Sequence, residues 1–421
     1  MNQSGFSGSI LAILLFALLV PGCNGAGSGN PGVSDIFSEN SNVVKTGAER
    51  LIESYLDELE GLRVGLVMNP TARIGQAHML DTLLSRGVSI SALYAPEHGF
   101  RGEAGAGEVI RDGRDQATGL PVFSLYGDTR KPTQEMLENV DLLLFDMQDV
   151  GARFYTYIST LGLVLEAAAE AGLPVWVLDR PNPAGGEYVS GWSMEEEFRS
   201  FVGMYPIPVA HGMTLGELAR MMIGEEWIMF DTPPELRVIE MEGWSREMVW
   251  PETGLDWVPP SPNLPTFEHA FVYLGTCFVE GTSLSEGRGT DDPFLLLGAP
   301  DTSFEPDELR DLQQNIPGAR LSSAVFEPRS IPGVAAAPKY EGERVHGLRV
   351  ELTDVSLYDP VVSGLKILKF LMDHTEDAEF NSFVYRLSGS EQITALRDGE
   401  EVWNGFDAAP FREARQAYLL Y

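Results

Sequence analysis

The clearest sign of a parallel β-sheet is the run VDLLLFDMQDVG (Val140–Gly151), in which a short apolar core gives way to polar residues. Strands that are apolar on both faces are typical of parallel sheets covered by helices on both sides. The Ala- and Leu-rich segment Tyr157–Ala171 predicts a helix closed by Gly172, and the next predicted strand lies in LPVWVLDRPNP (Leu173–Pro183). The order strand, helix, strand therefore predicts a βαβ unit.

Apolar runs on the N-terminal side of this unit repeat the alternation. Strands are predicted within LRVGLVMN (62–69), VSISALYAPEHG (88–99) and PVFSLYG (121–127), with helices near Gln76–Arg86 and Pro132–Glu138. We expect an open, doubly wound, Rossmann-like α/β sheet that is mostly parallel. No G-x-G-x-x-G follows the first strand, so the sequence gives no support for a nucleotide site.

A Pro- and Trp-rich segment, Glu252–Pro265, is too stiff for a helix and separates two kinds of sequence. The elements predicted beyond it are two strands and two helices, near Ala319–Glu327, Arg344–Leu352, Pro360–Asp373 and Phe411–Leu420. We therefore predict a Rossmann-like domain over residues 46–258, a smaller α+β domain over residues 259–421, and a cleft between the two.

Polar side chains follow the carboxyl ends of four successive predicted strands. In open α/β sheets this edge is where ligands bind. A single Asp or Asn in such a place is usually a turn residue, but four consecutive strand ends favour a binding site. The residues concerned are Glu97, His98, Tyr126, Gln148, Asp149, Arg180 and Asn182.

A glycine-rich loop, Gly275–Phe294, carries a second group of polar residues. Its candidate residues are Glu280, Glu286, Arg288 and Thr290. Glycines let a backbone approach a ligand closely, and Arg beside Glu is typical of polar ligand recognition. The alternative is a surface turn whose charges pair with one another.

The composition is that of a globular protein, but the chain is strongly acidic. It carries 62 acidic and 29 basic residues among 421, for a formal net charge of −33. A surface of this sign repels phosphate backbones and anionic lipid heads, which argues against nucleic acid as a partner. Scarce Lys and abundant acid fit either a salty habitat or an acidic secreted protein.

The N-terminus is typical of a targeting segment. The apolar run Ile10–Val20 is too short to span a bilayer and has the length of a signal h-region. Val20-Pro21-Gly22-Cys23 resembles a lipobox, which predicts a signal over residues 1–23, lipid on Cys23 and a flexible tether over residues 24–45. An ordinary cleaved signal and a buried apolar segment are the alternatives. We expect an exported protein of the periplasm or cell envelope that contacts the membrane through this anchor.

Several kinds of chemistry lack a matching sequence signal. No HExxH or CxxC spacing supports a metal, and no G-x-S-x-G supports a common serine hydrolase. Carboxylates with aromatic, Arg and Asn neighbours suit a sugar instead. One acid can protonate a glycosidic oxygen, a second group can stabilise the oxocarbenium ion, and aromatic rings can stack on the sugar.

Seven motifs in one order resemble those of the exo-β-N-acetylmuramidase (NamZ-type) glycoside hydrolases, over a span from about Thr46 to the C-terminal YLLY. They are YAPEHGFRGE (94–103), VFSLYGD (122–128), DMQDVGARFYTY (146–157), LDRPNP (178–183), HGMTLGELA (211–219), WVPPSPNLP (257–265) and GTCFVEGTSLSEGRGT (275–290). The resemblance implies a Rossmann-like domain with a smaller second domain. It also implies release of N-acetylmuramic acid from the non-reducing ends of peptidoglycan fragments, without a cofactor.

The resemblance places the catalytic glutamate at Glu97, which we expect to act as general acid at the end of a strand. The alternative is a carboxylate that orients His98 or pairs with Arg101. For the second catalytic group the candidates are Asp149, Glu280 and Glu286, unless the acetamido group of the substrate acts as nucleophile.

Arg153 or Arg288 is expected to hold the lactyl carboxylate of muramic acid, because Arg offers bidentate recognition; either residue could instead be a structural partner of a nearby acid. Hydroxyl or acetamido contacts are expected from Gln148, Asn182 and His211. For His211 a network at the start of a helix is the alternative, since Thr214 and Glu217 form a capping-box pattern. Further predicted substrate contacts are His98, Arg101, Tyr126, Tyr155 and Thr290.

Two other functions remain open from the sequence. A lipoprotein that binds muropeptides without cleaving them would have a similar cleft. A hydrolase of another amino sugar would be indifferent to the lactyl group.

Overall fold

Fourteen β-strands lie in the part of the chain that the computed structural model describes, residues 43–101, 105, 108 and 110–421. They are β1 (Val64–Met68), β2 (Arg73–Ile74), β3 (Ala77–His78), β4 (Ile90–Ala95), β5 (Gly113–Arg114), β6 (Pro121–Ser124), β7 (Leu142–Asp146), β8 (Val175–Leu178), β9 (Ser190–Ser193), β10 (Pro208–Ala210), β11 (Leu236–Ile239), β12 (Leu296–Ala299), β13 (Ala319–Phe326) and β14 (Val345–Leu352).

Ten α-helices lie in the same part of the chain. They are α1 (Gly47–Arg50), α2 (Met79–Ser85), α3 (Gln134–Leu137), α4 (Tyr157–Ala171), α5 (Leu215–Gly224), α6 (Phe267–Thr276), α7 (Pro306–Gln314), α8 (Pro360–Asp373), α9 (Phe383–Ser388) and α10 (Ala409–Ala414). Short 3₁₀ turns supplement them, among them Cys277–Gly281 after α6 and Arg415–Tyr418 after α10.

The larger sheet has the strand order β11-β8-β7-β1-β4-β6-β5, and every pairing is parallel except that of β5 with β6. The chain begins in the middle at β1, moves outward through β4 and β6, and then returns to the other side of β1 with β7. Strand order therefore reverses between β1 and β7, which is the place where doubly wound sheets bind ligands. The predicted Rossmann-like sheet is confirmed.

Alternating residues of the central strands supply the two cores that cover this sheet. On one face, Val67 and Phe145 belong to a cluster that includes the buried side of α4. On the other face, Leu66 and Leu144 pack with Met79 and Leu83 of α2. Because each strand is buried on both sides, its sequence is apolar throughout, as the Val140–Gly151 run indicated.

The smaller sheet is antiparallel, with the order β12-β14-β13, and helices α6 and α8 pack together beside it. These helices approach most closely at two glycines. A Cβ atom on Gly275 would lie 2.0 Å from the carbonyl oxygen of Pro360, and one on Gly364 would lie 2.2 Å from the carbonyl carbon of Gly275. This antiparallel α+β part confirms the predicted second architecture.

Residues near the C-terminus return to the larger sheet. Arg415 Nη1 donates to the backbone carbonyls of Gly186 and Gly212, at 2.9 and 2.6 Å. The hydroxyl of Tyr421 donates to Asp179 Oδ2 at 2.8 Å, directly after β8. The segment thus satisfies buried polar groups at the end of a strand more than two hundred residues earlier.

The observed elements differ from the predicted ones mainly at their ends. The helix expected near Gln76–Arg86 is shorter, because the β2–β3 hairpin occupies its first residues. The signal over residues 1–23, Cys23 and most of the tether lie outside the described residues. Over the residues that are described, no helix is long and apolar enough to cross a membrane. Cys277 is buried and forms no disulfide with any described residue.

Candidate active site

A cavity of about 660 Å³ lies at the carboxyl edge of the larger sheet, where the loops after β4 and β7 meet the smaller α+β part. The size is that of an ordinary small-ligand pocket. The polar residues that line it are Glu97, His98, Glu108, Tyr126, Tyr155, Thr156, Ser261, Glu280, Glu286, Arg288 and Lys339. Both parts of the chain therefore contribute to one cavity.

Glu97 lies two residues after the end of β4, and two hydroxyl groups hold its half-buried carboxyl group. Thr156 Oγ1 donates to Glu97 Oε2 at 2.8 Å. The Tyr126 hydroxyl also hydrogen-bonds the Glu97 carboxylate, and burial together with this carboxylate raises the pKa of Tyr126 to about 12. The carboxyl group is thus fixed in direction while it faces the cavity.

The turn after Glu97 has an unusual backbone. His98 has a φ of 73° and Gly99 a φ of 80°, so two consecutive residues lie in the left-handed region. A side chain larger than glycine is disfavoured there, and such a residue persists only where its surroundings hold it in place. The turn is closed by a 3.0 Å hydrogen bond from Gly99 N to Pro96 O, which leaves Glu97 at its apex.

A layer of hydrogen bonds behind Glu97 supports the first turn of α4. The hydroxyl of Tyr157 accepts from Asn69 Nδ2 and donates to Pro260 O, each at 2.7 Å. The Tyr155 and Tyr157 rings meet edge to face with centroids 4.8 Å apart. Asn69 follows β1 and Pro260 belongs to the Pro- and Trp-rich segment, so this segment is a wall of the site.

In the same cavity, two carboxylates and two cationic side chains form a compact charged cluster. Arg288 lies 2.7 Å from Glu280 Oε1 and 3.8 Å from Glu286 Oε1. Lys339 Nζ lies 3.0 Å from Glu286 Oε2 and also donates to the backbone carbonyls of Val279 and Leu284. The charges pair with one another, as one reading of the glycine-rich loop expected, but inside the cavity and not on the surface.

One donor of this cluster remains available. Burial opposes the charge of Arg288, but Glu280 and Glu286 outweigh that effect and hold the pKa of Arg288 above its usual range. Its Nη1 atom is buried and has no hydrogen-bond partner among the described residues. A buried guanidinium nitrogen without an acceptor is costly, so it is well placed to bind a polar ligand.

The cavity brings together seven of the residues singled out from the sequence: Glu97, His98, Tyr126, Tyr155, Glu280, Glu286 and Arg288. The other eight do not belong to its lining: Asp149, Arg101, Gln148, Arg153, Arg180, Asn182, His211 and Thr290. Arg180 donates to Asp146 Oδ2 at 2.9 Å.

The contacts of Arg153 favour the structural alternative, whereas we expected either Arg153 or Arg288 to hold the lactyl carboxylate. Its side chain is 1% exposed, and its two terminal nitrogens donate to four backbone carbonyls. The acceptors are those of Trp192, Ile207, Leu387 and Ser388. Neither terminal nitrogen of Arg153 is left to hold a substrate. The partners of Arg153 are backbone carbonyls, whereas the structural alternative expected a carboxylate.

His211 and Asp149 form a buried pair beneath the strand ends. His211 Nε2 lies 3.4 Å from Asp149 Oδ2, and His211 Nδ1 accepts from Met213 N at 3.2 Å. Thr214 and Glu217 form the capping box at the start of α5. The geometry favours the alternative in which His211 belongs to a network at the start of that helix.

Gln148 and Asn182 bond to the backbone beside this pair. Gln148 Nε2 donates to Pro181 O at 2.7 Å, and Asn182 Nδ2 donates to Met213 O at 3.0 Å. Their amides therefore join the loops after β7 and β8 to the start of α5, behind the cavity.

Arg101 and Thr290 also bond to protein groups. Arg101 donates to both carboxylate oxygens of Asp115 at 3.2 Å, and Thr290 Oγ1 donates to Gly287 O at 2.6 Å. Arg101 lines a neighbouring cavity, and Thr290 closes a turn in the glycine-rich loop.

Sequence reasoning did not single out four of the polar lining residues listed above: Glu108, Thr156, Ser261 and Lys339. Thr156 precedes a predicted helix, which indicates an ordinary helix cap and gives no sign that its hydroxyl faces Glu97. Lys339 lies outside every motif quoted above. Among the residues with described positions, no group of three or more His, Cys, Asp or Glu side chains is arranged to hold a metal ion.

Two models of one protein family together match most of the described chain. The family model for the N-terminal part of the exo-beta-N-acetylmuramidase NamZ matches residues 64–268, and the model for its C-terminal part matches residues 271–421. The peptidoglycan beta-N-acetylmuramidase NamZ of Bacillus subtilis (strain 168) is 42% identical over 391 residues, which cover 90% of this chain and 91% of that protein.

Two solved structures are similar as well. Both are crystal structures of DUF1343 family proteins from Bacteroides fragilis. One is 34% identical with a TM-score of 0.77, and the other is 32% identical with a TM-score of 0.72. Each comparison covers 90% of this chain and 99% of the other chain.

Proposed function

The chain belongs to the exo-beta-N-acetylmuramidase NamZ family, and from this membership we propose that it releases N-acetylmuramic acid from the non-reducing ends of peptidoglycan fragments, with Glu97 as general acid. As a member of the family it is a glycosidase that acts on peptidoglycan. We propose cell-wall turnover or recycling as its role.

The observation that carries the proposal is the fixed carboxyl group of Glu97 facing a cavity that also contains Arg288. The hydroxyls of Thr156 and Tyr126 hold Glu97, and the Arg288 cluster reaches the same cavity from the C-terminal part of the chain. A sugar bound in this cavity would have its glycosidic oxygen near an acid and its substituents near a cation. This arrangement suits general acid catalysis on an anionic sugar.

Arg288 is the residue we propose for recognition of the lactyl carboxylate. Its unpartnered Nη1 atom can donate to that group, while Glu280 and Glu286 keep the guanidinium in place. Glucosamine lacks the lactyl group, so this contact would distinguish the two sugars. In a chain with a net charge of −33, a local cation is also needed to offset the repulsion of an anionic substrate.

For the second catalytic group we propose the acetamido oxygen of the substrate. Attack by Glu280 or Glu286 would take a partner away from Arg288 or Lys339 inside the cavity, and Asp149 does not line the cavity. In the first step the acetamido oxygen bonds to C1, the C1–O bond breaks, and Glu97 gives its proton to the departing oxygen. In the second step the Glu97 carboxylate takes a proton from water, the water oxygen bonds to C1, and the bond between C1 and the acetamido oxygen breaks, which restores the acetamido group.

This route predicts retention, which proton NMR of the first product can test. The β-anomer of N-acetylmuramic acid should appear before mutarotation. First appearance of the α-anomer would contradict the acetamido route and favour Glu108, the lining carboxylate with no ion pair among the described residues, as the base that activates water.

The decisive test of the function uses MurNAc-β-1,4-GlcNAc and the same disaccharide without the lactyl group. Wild-type protein should release free MurNAc from the first, and Glu97→Gln should lower kcat by about a thousandfold or more. Glu138→Gln, an exposed matched change, should have no effect. Binding without cleavage by the wild type would favour the muropeptide-binding lipoprotein. Equal cleavage of both sugars would favour a hydrolase of another amino sugar.

We further propose export through residues 1–23 and lipid attachment at Cys23, which the lipobox-like sequence supports. Cells fed a labelled fatty acid should incorporate it into the wild type and not into Cys23→Ala. If both proteins remain unlabelled, the proposal of a lipid anchor at Cys23 is contradicted.

A further inference from the structure

A second cavity, of about 550 Å³, lies on the far side of the turn that carries Glu97. The two cavities share one loop: Glu97 and His98 line the first, while Gly99 and Arg101 line the second. The residues of the second cavity that matter here are Phe100, Arg101, Ile110, Arg111, Arg114 and Asp115.

Positive charge is concentrated in this cavity. Among the residues with described positions, three arginines and one acid line it, in a chain with 29 basic residues. Asp115 accepts two hydrogen bonds from Arg101, which balances one of the three charges. Arg111 and Arg114 are exposed, and Arg114 donates to Gly119 O at 2.7 Å. The described part of the lining therefore carries more positive than negative charge, on a protein whose overall charge is −33.

Backbone hydrogen bonds fix the position of the segments that line this cavity. Arg114 belongs to β5, which pairs with β6 at the edge of the larger sheet. Ile110 N donates to Tyr126 O at 3.1 Å, so the segment that leads to Arg111 is tied to the tyrosine that bonds Glu97.

The position of the general acid indicates which part of the substrate reaches this cavity. A general acid contacts the oxygen between the terminal sugar and the leaving group, so the leaving group begins at Glu97. Beyond the first leaving sugar, peptidoglycan carries carboxylates, either on the lactyl group of the next muramic acid or on its stem peptide. Arginine binds carboxylates in a bidentate fashion.

We propose that the cavity lined by Arg101, Arg111 and Arg114 is a leaving-group subsite that binds a carboxylate of the second muramic acid unit. This inference rests on the proposed function, because the subsite would bind a later unit of the same saccharide whose terminal sugar is cleaved beside Glu97. It assigns the enzyme a preference for fragments longer than a disaccharide, in addition to recognition of the terminal sugar.

The test compares three substrates of the full-length enzyme: the disaccharide MurNAc-GlcNAc, the tetrasaccharide (MurNAc-GlcNAc)₂, and that tetrasaccharide with a stem peptide on its second MurNAc. The measured quantity is kcat/KM for each tetrasaccharide divided by kcat/KM for the disaccharide. In the double variant Arg111→Gln/Arg114→Gln this ratio should fall by about tenfold. Arg86→Gln, an exposed arginine at the end of α2 and outside the cavity lining, is the matched control and should leave the ratio unchanged.

The substrates also separate the two sources of carboxylate. A stem peptide converts the lactyl carboxylate into an amide, so a fall with the peptide-free tetrasaccharide alone supports recognition of the lactyl carboxylate. A fall with the peptide-bearing one alone supports recognition of a carboxylate of the stem peptide, and a fall with both shows that the cavity binds either one. A ratio that is the same in wild type and double variant for both tetrasaccharides overturns the subsite while the proposed function stands. If the wild type releases MurNAc from none of the three substrates, the proposed function fails, and the subsite fails with it.

Discussion

The hydroxyl of Thr156 donates a 2.8 Å hydrogen bond to Oε2 of Glu97, although Thr156 occupies the N-cap position of helix α4. A threonine in that position ordinarily caps its own helix, and here it makes no side-chain capping bond. The long helix therefore serves as a rigid base from which a hydroxyl fixes the direction of the catalytic carboxyl group.

We expect Thr156→Val to lower kcat by about tenfold to a hundredfold with little change in KM, because it frees the Glu97 carboxyl to rotate without altering the shape of the cavity. Steady-state kinetics on MurNAc-GlcNAc measure both quantities. Thr156→Ser keeps the donor and should restore most of the rate. A variant in which KM rises while kcat is unchanged would place Thr156 in substrate binding instead.

Substitution of Arg288 should weaken the binding of substrates that carry the lactyl group. We expect Arg288→Lys to raise KM for MurNAc-GlcNAc by about tenfold, because an ammonium retains the charge but loses the second donor direction of the guanidinium. KM for the lactyl-free disaccharide should change by much less. Equal rises for both substrates would show that Arg288 only maintains the cavity, and an unchanged KM for both would remove it from recognition.

Asp179 should make stability fall as pH rises. Burial, together with the nearby Glu217, raises the pKa of Asp179 from 3.8 to about 7, against the hydrogen bonds that it accepts from Thr214, Gly216 and Tyr421. Between these two pH values the folded chain keeps a proton that the unfolded chain has lost. The contribution of Asp179 is therefore fully present below about pH 4 and is lost as the pH rises through about 7.

Urea unfolding at several pH values tests this expectation against Asp179→Asn. The amide is neutral at every pH and can still bond to the two hydroxyls, since a hydroxyl oxygen can accept. The variant should gain free energy of unfolding relative to the wild type between about pH 4 and 8. A difference between the two proteins that does not vary with pH would contradict the raised pKa.

Arg153 should matter for stability and not for catalysis. Arg153→Met removes the donors of four buried backbone carbonyls, and we expect a loss of about 3–5 kcal/mol in the free energy of unfolding. Arg86→Met, at an exposed site, should change stability by less than about 0.5 kcal/mol. Denaturant titration measures both. If the Arg153→Met protein is as stable as the wild type and its KM is raised, Arg153 takes part in substrate binding instead.

The sequence predicts the fold well because a strand or helix that is buried in the core shows this in the apolar pattern of its own residues. The helix predicted at Tyr157–Ala171 is α4, and Gly172 ends it with a φ of 65°. The helix predicted near Pro360–Asp373 has the same bounds in α8. Each depends on apolar spacing and end residues within one segment, which a single sequence contains in full.

Side-chain roles in the site depend on partners that are distant in the sequence. Arg153 and Arg288 both follow polar motifs, yet Arg153 meets the carbonyls of Leu387 and Ser388, more than two hundred residues away. Arg288 meets Glu280 within its own loop, and that pairing could be expected. Lys339 contacts the same cluster from a segment without any recognisable pattern.

The contact between Tyr421 and Asp179 also constrains how the chain acquires its structure. The two residues are 242 positions apart, so the carboxylate after β8 lacks this partner until residue 421 has been synthesised. Contacts of such long sequence separation slow folding, because a large loop must close before they form. The first sheet can collapse early around its apolar strands, but it reaches its full set of buried hydrogen bonds only late, once residue 421 is available.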